Sequence, residues 1–203
     1  MSALSSLWSL LGTVLLLAVV LQTLLGWCGQ RLRGWWPASL IAVAALWLAR
    51  FPLGGLCTWH RIEGLQLNFS VPLTALLLHR FLTAAGTGPL LDRRALSGAW
   101  LFGLGAGLLL YASALGLVPF DLYARGWGSA LHFVLLVLTL LLLWRRNRFG
   151  AVLLAAALAH TLRLVDSLNL WDYVVDPLFL VTSGAALLAR ALRRLRKREP
   201  EAA

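Results

Sequence analysis

The segment Leu10–Trp27 reads LLGTVLLLAVVLQTLLGW, an apolar run of 18 residues that contains no charged side chain. Runs of about 18 or more apolar residues are typical of helices that cross a membrane. The rest of the chain is similar, since 60% of its 203 residues are hydrophobic, only 13% are charged, and the mean hydropathy is +0.81. A soluble domain is roughly half apolar and about a quarter charged. Lipid is therefore the expected solvent of this chain.

A second run, Leu131–Trp144 (LHFVLLVLTLLLLW), distinguishes between the two structures that can cross a membrane. Transmembrane β-strands alternate apolar and polar residues, whereas this run does not, so the spans are expected to be helices. The chain is predicted to be an all-α polytopic membrane protein, a bundle of about seven transmembrane helices. The predicted spans are residues 4–27, 35–50, 69–82, 95–118, 130–144, 149–165 and a last span that begins at Tyr173 or Pro177 and ends at Leu192. The sequence leaves open whether segment 65–82, which contains Pro72, crosses the membrane completely.

Arginine-rich segments follow alternate predicted spans, and short basic loops favour the cytoplasmic side of a membrane. These segments are Arg31–Arg33, Arg80–Arg94, Arg145–Arg148 and the tail at 193–203. The pattern predicts that the N-terminus lies outside and the C-terminus in the cytoplasm. Residues 1–192 are expected to form a single transmembrane domain. Residues 193–203 are expected to form a basic cytoplasmic tail that contacts anionic lipid headgroups.

The net charge of +10 raises the question of which partners the chain has. Most basic residues lie at the ends of apolar runs, so membrane lipids and a membrane-protein partner are expected and nucleic acid is not. HExxH, GxSxG and Walker motifs are absent from the sequence, and the two cysteines lack metal-ligand spacing, so neither a metal nor a cofactor is predicted. Compact loops, an arginine-rich composition and the absence of an organelle signal favour the bacterial inner membrane.

Small residues recur every four positions in the predicted span 95–118, at Ala95, Ala99, Gly103 and Gly107. This spacing places them on one face of a helix. In lipid, small residues let helix backbones approach closely. We therefore expect Ala99, Gly103 and Gly107 to pack against another helix at the centre of the bundle, which is favoured over a ligand groove.

Polar side chains are concentrated in Ala159–Pro177, AHTLRLVDSLNLWDYVVDP. The predicted topology brings this segment and two other loops to the outer face of the membrane. The candidate outer-face polar cluster comprises His160, Arg163, Asp166, Asp172, His60, Arg61, Glu63, Asp121 and Arg125. Arginine offers a bidentate fork for phosphate, and a carboxylate or His can act as base or acid. The cluster therefore has the groups needed to bind a phosphate or sugar headgroup.

Members of this cluster also have structural interpretations. Asp176 followed by Pro177 fits the start of a helix. Arg163 and Asp166, three residues apart, fit an ion pair on one helical face, and His160 extends that face by one turn. Ionisable groups inside a span suggest function, whereas a buried His with one hydrogen-bond partner is equally consistent with structure. The remaining members fit solvated loops or interfacial anchors.

Three functions are consistent with these features. We favour a non-catalytic membrane component of cell-envelope biogenesis that binds lipid or a partner protein, because a packing face and a basic tail are present and catalytic signatures are not. An enzyme that acts on a lipid-linked substrate at the outer leaflet requires Arg163, Asp166 and Asp172 to line an outward cleft. A small transporter or flippase requires a polar cavity that reaches the middle of the membrane.

Overall fold

Each apolar run predicted from the sequence contains a helix, and the segments between the runs form short helices, turns and a hairpin. The computed structural model describes residues 3–30, 33–65 and 69–198, and this part of the chain is mostly helical. The helices are α1 (Ala3–Trp27), α2 (Trp35–Arg50), α3 (Thr58–Leu65), α4 (Val71–Ala85), α5 (Arg93–Ala114), α6 (Ser129–Trp144), α7 (Phe149–Thr161), α8 (Trp171–Val174) and α9 (Pro177–Arg198). The other elements are an antiparallel hairpin, β1 (Pro52–Leu53) with β2 (Leu56–Cys57), and a 3-10 turn at Ala124–Trp127.

Two helices of the described residues, α1 and α5, are both long and apolar enough to cross a membrane. This is weak support for membrane association, because a core helix of a soluble protein and an N-terminal signal sequence meet the same criterion. Four further apolar helices, α2, α4, α6 and α7, are shorter, with 13 to 16 residues. The fold is thus helical with two candidate spans, and the bundle of seven spans stays a prediction.

Local sequence signals explain where α4 and α5 begin. Ser70 caps α4, since its Oγ accepts a hydrogen bond from the Leu73 N–H at 3.3 Å. Asp92 caps α5 in the same way, accepting from the Ala95 N–H at 2.8 Å. Side-chain oxygens at these positions satisfy backbone donors that have no partner within the helix. The turn before Asp92 therefore leads directly into α5.

The end of α7 differs from the prediction. The predicted span 149–165 extends past the observed last residue, Thr161. Arg163 adopts a left-handed conformation with φ +53°, and the next residue closes the helix by donating its N–H to the Ala159 carbonyl at 3.0 Å. This geometry terminates an α-helix. Asp166 lies beyond the helix, so the predicted helical face shared by His160, Arg163 and Asp166 is wrong.

The small residues of α5 face α9, which is its packing partner. Ala99 is fully buried. A Cβ atom on Gly103 would lie 2.2 Å from Ser183 Oγ, and one on Gly107 would lie 2.9 Å from Leu180 Cδ1. At both glycines the space that a Cβ would occupy is therefore filled by side chains of α9. α9 itself continues to Arg198, so the helix crosses the boundary placed between residues 192 and 193.

The turns of the chain collect at two ends of the helix bundle. We call the first the arginine end, formed by residues 22–30, 33–34, 79–97, 144–150 and 190–196. Its parts are joined by hydrogen bonds from Arg190 to Ser97 Oγ (3.0 Å) and from Arg148 to the Leu90 carbonyl (3.4 Å). The helices that pack most extensively besides α5 and α9 are α1 with α2 and α6 with α7.

The opposite end, which we call the loop end, is formed by residues 3–9, 50–65, 69–71, 113–132 and 160–177. Trp8 Nε1 donates to the Phe69 carbonyl at 2.9 Å and thereby joins the starts of α1 and α4. The Asp176 carboxylate accepts from the Ser70 N–H at 2.9 Å and joins the starts of α4 and α9. The helices α1, α4 and α9 therefore all begin at the loop end.

Candidate functional site

The loop end contains a cavity of about 370 Å³, which we call the loop-end cavity. Its walls come from α1, α3, the residue before the α4 cap, the residue before the 3-10 turn, the segment between α7 and α8, and α8 itself. The described residues that line it are Ser5, Trp8, Ser9, Glu63, Phe69, Tyr123, Val165, Asp166, Ser167 and Asp172. Three of these residues carry carboxylates, and none of the described lining residues is Arg, Lys or His.

Asp172 is oriented by two hydroxyl groups. Tyr123 donates its phenolic O–H to Asp172 Oδ2 at 3.2 Å, and Ser167 Oγ donates to the same oxygen. Burial, followed by the nearby Asp172 carboxylate, raises the pKa of Tyr123. The phenol therefore remains protonated at neutral pH and serves as a donor. Asp172 is consequently fixed at the cavity wall before any ligand arrives.

The segments that carry Tyr123 and Asp172 are joined by the fully buried Asn169. Its Nδ2 donates to the Tyr123 carbonyl at 2.9 Å, and its Oδ1 accepts from the Trp171 N–H at 3.0 Å. Gly126 permits this approach, since a Cβ atom there would lie 1.8 Å from Asn169 Oδ1. A buried amide with partners on both sides specifies one arrangement of the two segments. The cavity wall is therefore built on a rigid support.

The first turns of α1 contribute hydroxyl groups to the cavity. Ser5 and Ser9 lie four residues apart on one helix face and are only 4% and 8% exposed. Ser9 lines the cavity, and its hydroxyl can donate a hydrogen bond to a bound molecule or accept one from it.

The three arginines of the predicted polar cluster do not line the loop-end cavity. Arg61 donates its Nε–H to the Leu53 carbonyl at 3.0 Å and stabilises the hairpin. Arg163 is exposed and ends α7, while Arg125 is exposed in the 3-10 turn. The described lining of the cavity thus offers no arginine fork for a phosphate.

Three other members of the predicted cluster also lie outside the cavity lining. Asp121 accepts a backbone hydrogen bond at the start of the 3-10 turn, at 3.0 Å. His160 Nε2 lies 3.1 Å from the Leu168 carbonyl oxygen, and its ring contacts Tyr173 with 5.0 Å between the ring centroids. His60 is exposed. The arrangement of Asp121 and His160 is that of residues that hold loop structure.

The cavity brings together three of the predicted residues, from two separate segments: Glu63, Asp166 and Asp172. The contribution of α1 to the cavity was not predicted. The signal was present, because Ser5, Ser9 and Thr13 recur every four residues in a largely apolar helix, and all three are buried. Residues at this spacing share one face of a helix, so the three residues mark the buried face of α1.

The cavity can accept hydrogen bonds better than it can donate them. An ionised carboxylate is an acceptor only, and a serine hydroxyl can act as either donor or acceptor. Within the described ranges, no group of three or more His, Cys, Asp and Glu side chains is placed to hold a metal ion. The lining therefore suits an uncharged or cationic ligand that carries several N–H or O–H donors.

Comparison of the chain with protein-family models, with curated proteins and with solved structures finds no match. The class that fold and site define is a helical protein with two candidate membrane spans and a carboxylate-lined cavity at one end of the bundle.

Proposed function

We propose that this chain is a multi-pass membrane protein of seven spans whose loop-end cavity binds the headgroup of a lipid or lipid-linked molecule. The observation that supports the membrane placement is an inverted pattern of burial. In α6, Phe133, Leu136 and Leu140 are exposed, whereas Thr139 is buried together with Leu135. Soluble proteins bury their large aliphatic residues. In lipid, small and polar residues pack between helices and large apolar residues face the acyl chains.

The same inversion occurs in α2. Ala45 and Ala49 are fully buried, whereas Val43 and Trp47 are each more than 60% exposed. An apolar surface of this extent on a soluble monomer would be an aggregation site. Surrounding it with lipid removes that cost, and helices on both sides of the bundle share the pattern. Membrane placement thus accounts for the shorter helices as well as for α1 and α5.

The orientation follows from charge. The arginine end carries exposed basic side chains from four separate segments, among them Arg33, Arg80, Arg145 and Arg193. Basic segments favour the cytoplasmic side. We therefore assign the arginine end to the cytoplasm and the loop end, with the cavity, to the outer leaflet of a bacterial inner membrane. The predicted role in envelope biogenesis stays a prediction.

The proposed ligand of the cavity is a headgroup with hydrogen-bond donors, such as an ethanolamine ammonium group or the hydroxyls of a glycolipid. Glu63, Asp166 and Asp172 supply acceptors, and Trp8 and Phe69 supply aromatic wall. An ammonium group is attracted both to carboxylates and to aromatic faces. A cavity at the end of the bundle receives such a headgroup while the acyl chains remain in the bilayer.

The two native cysteines test the orientation. Cys28 is free and exposed at the arginine end, and Cys57 is free and partly exposed at the loop end. In right-side-out spheroplasts, a membrane-impermeant maleimide should label Cys28→Ser, which retains Cys57. It should label Cys57→Ser, which retains Cys28, only after permeabilisation. Equal labelling of both variants in intact spheroplasts would refute the seven-span topology.

Native mass spectrometry of the purified protein tests the ligand. Lipid that co-purifies with the wild type should be enriched in species with amino or sugar headgroups relative to the host membrane. Ser9→Phe fills the cavity and should abolish that enrichment, whereas Leu7→Phe, a change on the exposed face of the same helix, should preserve it. Identical lipid profiles for the wild type and Ser9→Phe would show that the cavity binds no lipid headgroup.

One observation favours a second candidate, an enzyme that acts on a lipid-linked substrate, although Arg163, one of the three residues expected in its cleft, does not line the cavity. Asp166 and Asp172 face the same cavity, and a positioned carboxylate can act as a general base. Incubation of the wild type with total membrane lipid should then convert a species that Asp166→Asn leaves unchanged. If lipid composition stays constant with both proteins, binding without catalysis is the better description.

A further inference from the structure

A second cavity, at the arginine end, is a groove of about 390 Å³ bordered by α1, α4, α5 and α9, which we call the arginine-end groove. Much of its wall is apolar and is formed by Leu73, Leu76 and Leu77 of α4 with Leu96 and Trp100 of α5. It is separate from the loop-end cavity, and none of the described residues lines both. A ligand of the loop-end cavity therefore does not account for the residues of this groove.

The groove changes from apolar to basic along its length. On α4 the lining passes from Leu73 to Arg80, and on α9 it passes from Ala186 to Arg190 and Arg193. Both helices run toward the arginine end, so the two changes occur in the same direction. Leu73 and Arg80 are separated by about 10 Å along the helix axis. The groove thus presents a hydrocarbon-lined channel with basic side chains at one end.

The basic end is preorganised to receive an anion. Arg190 donates from its guanidinium to Ser97 Oγ at 3.0 Å, which fixes the position of the group. A guanidinium has five N–H donors, so donors remain for a ligand. The described residues that line the groove include no Asp or Glu to neutralise Arg80, Arg190 and Arg193.

We infer that the arginine-end groove is a binding site for one anionic phospholipid. An acyl chain lies along the leucines of α4, and the phosphate lies between Arg80, Arg190 and Arg193. Basic pockets between membrane helices on the cytoplasmic side are suited to anionic headgroups. This inference rests on the membrane placement proposed above and is independent of the ligand of the loop-end cavity.

The test compares two double variants that remove the same charge from the same end of the protein. Arg80→Gln with Arg193→Gln removes two arginines of the groove. Arg94→Gln with Arg145→Gln removes two exposed arginines that do not line it. Native mass spectrometry of detergent-purified protein, titrated with dioleoyl phosphatidylglycerol, measures the affinity, with dioleoyl phosphatidylcholine as the neutral probe.

The wild type should prefer phosphatidylglycerol, and the groove variant should lose about thirtyfold in affinity, the effect expected from removing two basic contacts. The control variant should bind as the wild type does. Equal losses in the two double variants would show a general charge effect and would overturn the inference. Equal affinity of the wild type for both lipids would overturn it as well.

A second pair of variants tests the acyl-chain part of the site. Ala186→Phe places a ring in the groove, whereas Ala185→Phe places it on the exposed side of α9. Only Ala186→Phe should weaken phosphatidylglycerol binding. Binding of glycerol phosphate as tightly as the lipid, with Ala186→Phe binding as the wild type does, would identify a soluble phosphate as the ligand and overturn the lipid assignment.

The two proposals can fail separately. A chain that does not insert into the membrane fraction would refute the membrane placement, and the groove inference with it. Correct cysteine labelling at both ends together with no preference for phosphatidylglycerol would refute the groove inference alone.

Discussion

The carboxylate of Asp176 accepts a hydrogen bond from the backbone N–H of Ser70 at 2.9 Å, although the two residues are 106 positions apart. The other carboxylate oxygen accepts from the Phe179 N–H at 2.8 Å and caps α9. Asp176 is only 3% exposed. One buried side chain therefore satisfies backbone donors at the starts of two helices, where negative charge is also favoured by the helix dipoles.

Replacing Asp176 by Ala should lower the free energy of unfolding by about 2–4 kcal/mol, since it removes a cap and leaves a buried N–H at Ser70 unpaired. Asp121→Ala is the matched control, because Asp121 also accepts a backbone hydrogen bond but is exposed. Thermal unfolding in detergent should show a much larger fall in apparent Tm for the Asp176 variant. Similar falls for both variants would contradict the bridging role.

The close approach of α5 and α9 makes a second prediction. Gly103→Ala should destabilise the protein by about 1–3 kcal/mol, the usual cost of overpacking, because the added Cβ would meet Ser183 and Phe179. Gly105→Ala is the control, since nothing lies within 4 Å of a Cβ there. The apparent Tm should fall for Gly103→Ala and stay level or rise for Gly105→Ala. The reverse order would mean that α5 does not pack through this face.

The support of the cavity wall makes a third prediction. Gly126→Ala should displace Asn169, since the added Cβ would overlap its Oδ1. The Leu170 N–H, which donates to the Gly126 carbonyl at 3.1 Å, should then exchange with solvent faster. Hydrogen exchange followed by mass spectrometry measures this change. Gly128→Ala serves as the control because its Cβ would have no contact closer than 3.8 Å, and unchanged exchange in both variants would show that the segments are not joined at Gly126.

Some of these features were predictable from the sequence and others were not. The prediction that Asp176 caps a helix is confirmed, because the Asp-Pro pair is a local signal. The four-residue spacing of Gly103 and Gly107 is also local, although the identity of α9 as the partner is not. The helical face that would join His160, Arg163 and Asp166 was wrong because a left-handed Arg at position 163 is an unusual way to end a helix, and side-chain periodicity does not detect it.

The residues that line the loop-end cavity show more clearly which features could not be predicted from the sequence. Glu63 and Asp172 were expected at the same membrane face from topology alone, and both line the cavity. Trp8 and Ser167, which also line the cavity, were not expected there. Hydropathy does not predict the hydrogen bond from Trp8 to the Phe69 carbonyl or the path of the loop that carries Ser167. Charge and hydropathy therefore predict which end of the bundle a residue occupies, whereas the cavity itself depends on loop geometry.

The hydrogen bond from Tyr123 to Asp172 makes a prediction about alkaline pH. The pKa of Tyr123 is raised in the folded protein, mainly by burial and then by the Asp172 carboxylate. Such a group stabilises the fold fully below its unfolded pKa of about 10, and this contribution is lost as the pH rises through the higher folded pKa. Tyr123→Phe should thus be less stable than the wild type by about 1 kcal/mol at neutral pH, from the lost hydrogen bond.

Above pH of about 10 the two proteins should converge, because only the wild type loses the Tyr123 contribution. Burial also raises the pKa of Tyr173, but that residue is present in both proteins, so its titration cancels in the difference. Apparent Tm measured from neutral pH to above the ordinary tyrosine pKa gives the comparison. A constant difference in Tm across that range would show that Tyr123 does not donate to Asp172, and the fixed orientation of Asp172 at the cavity wall would have to be abandoned.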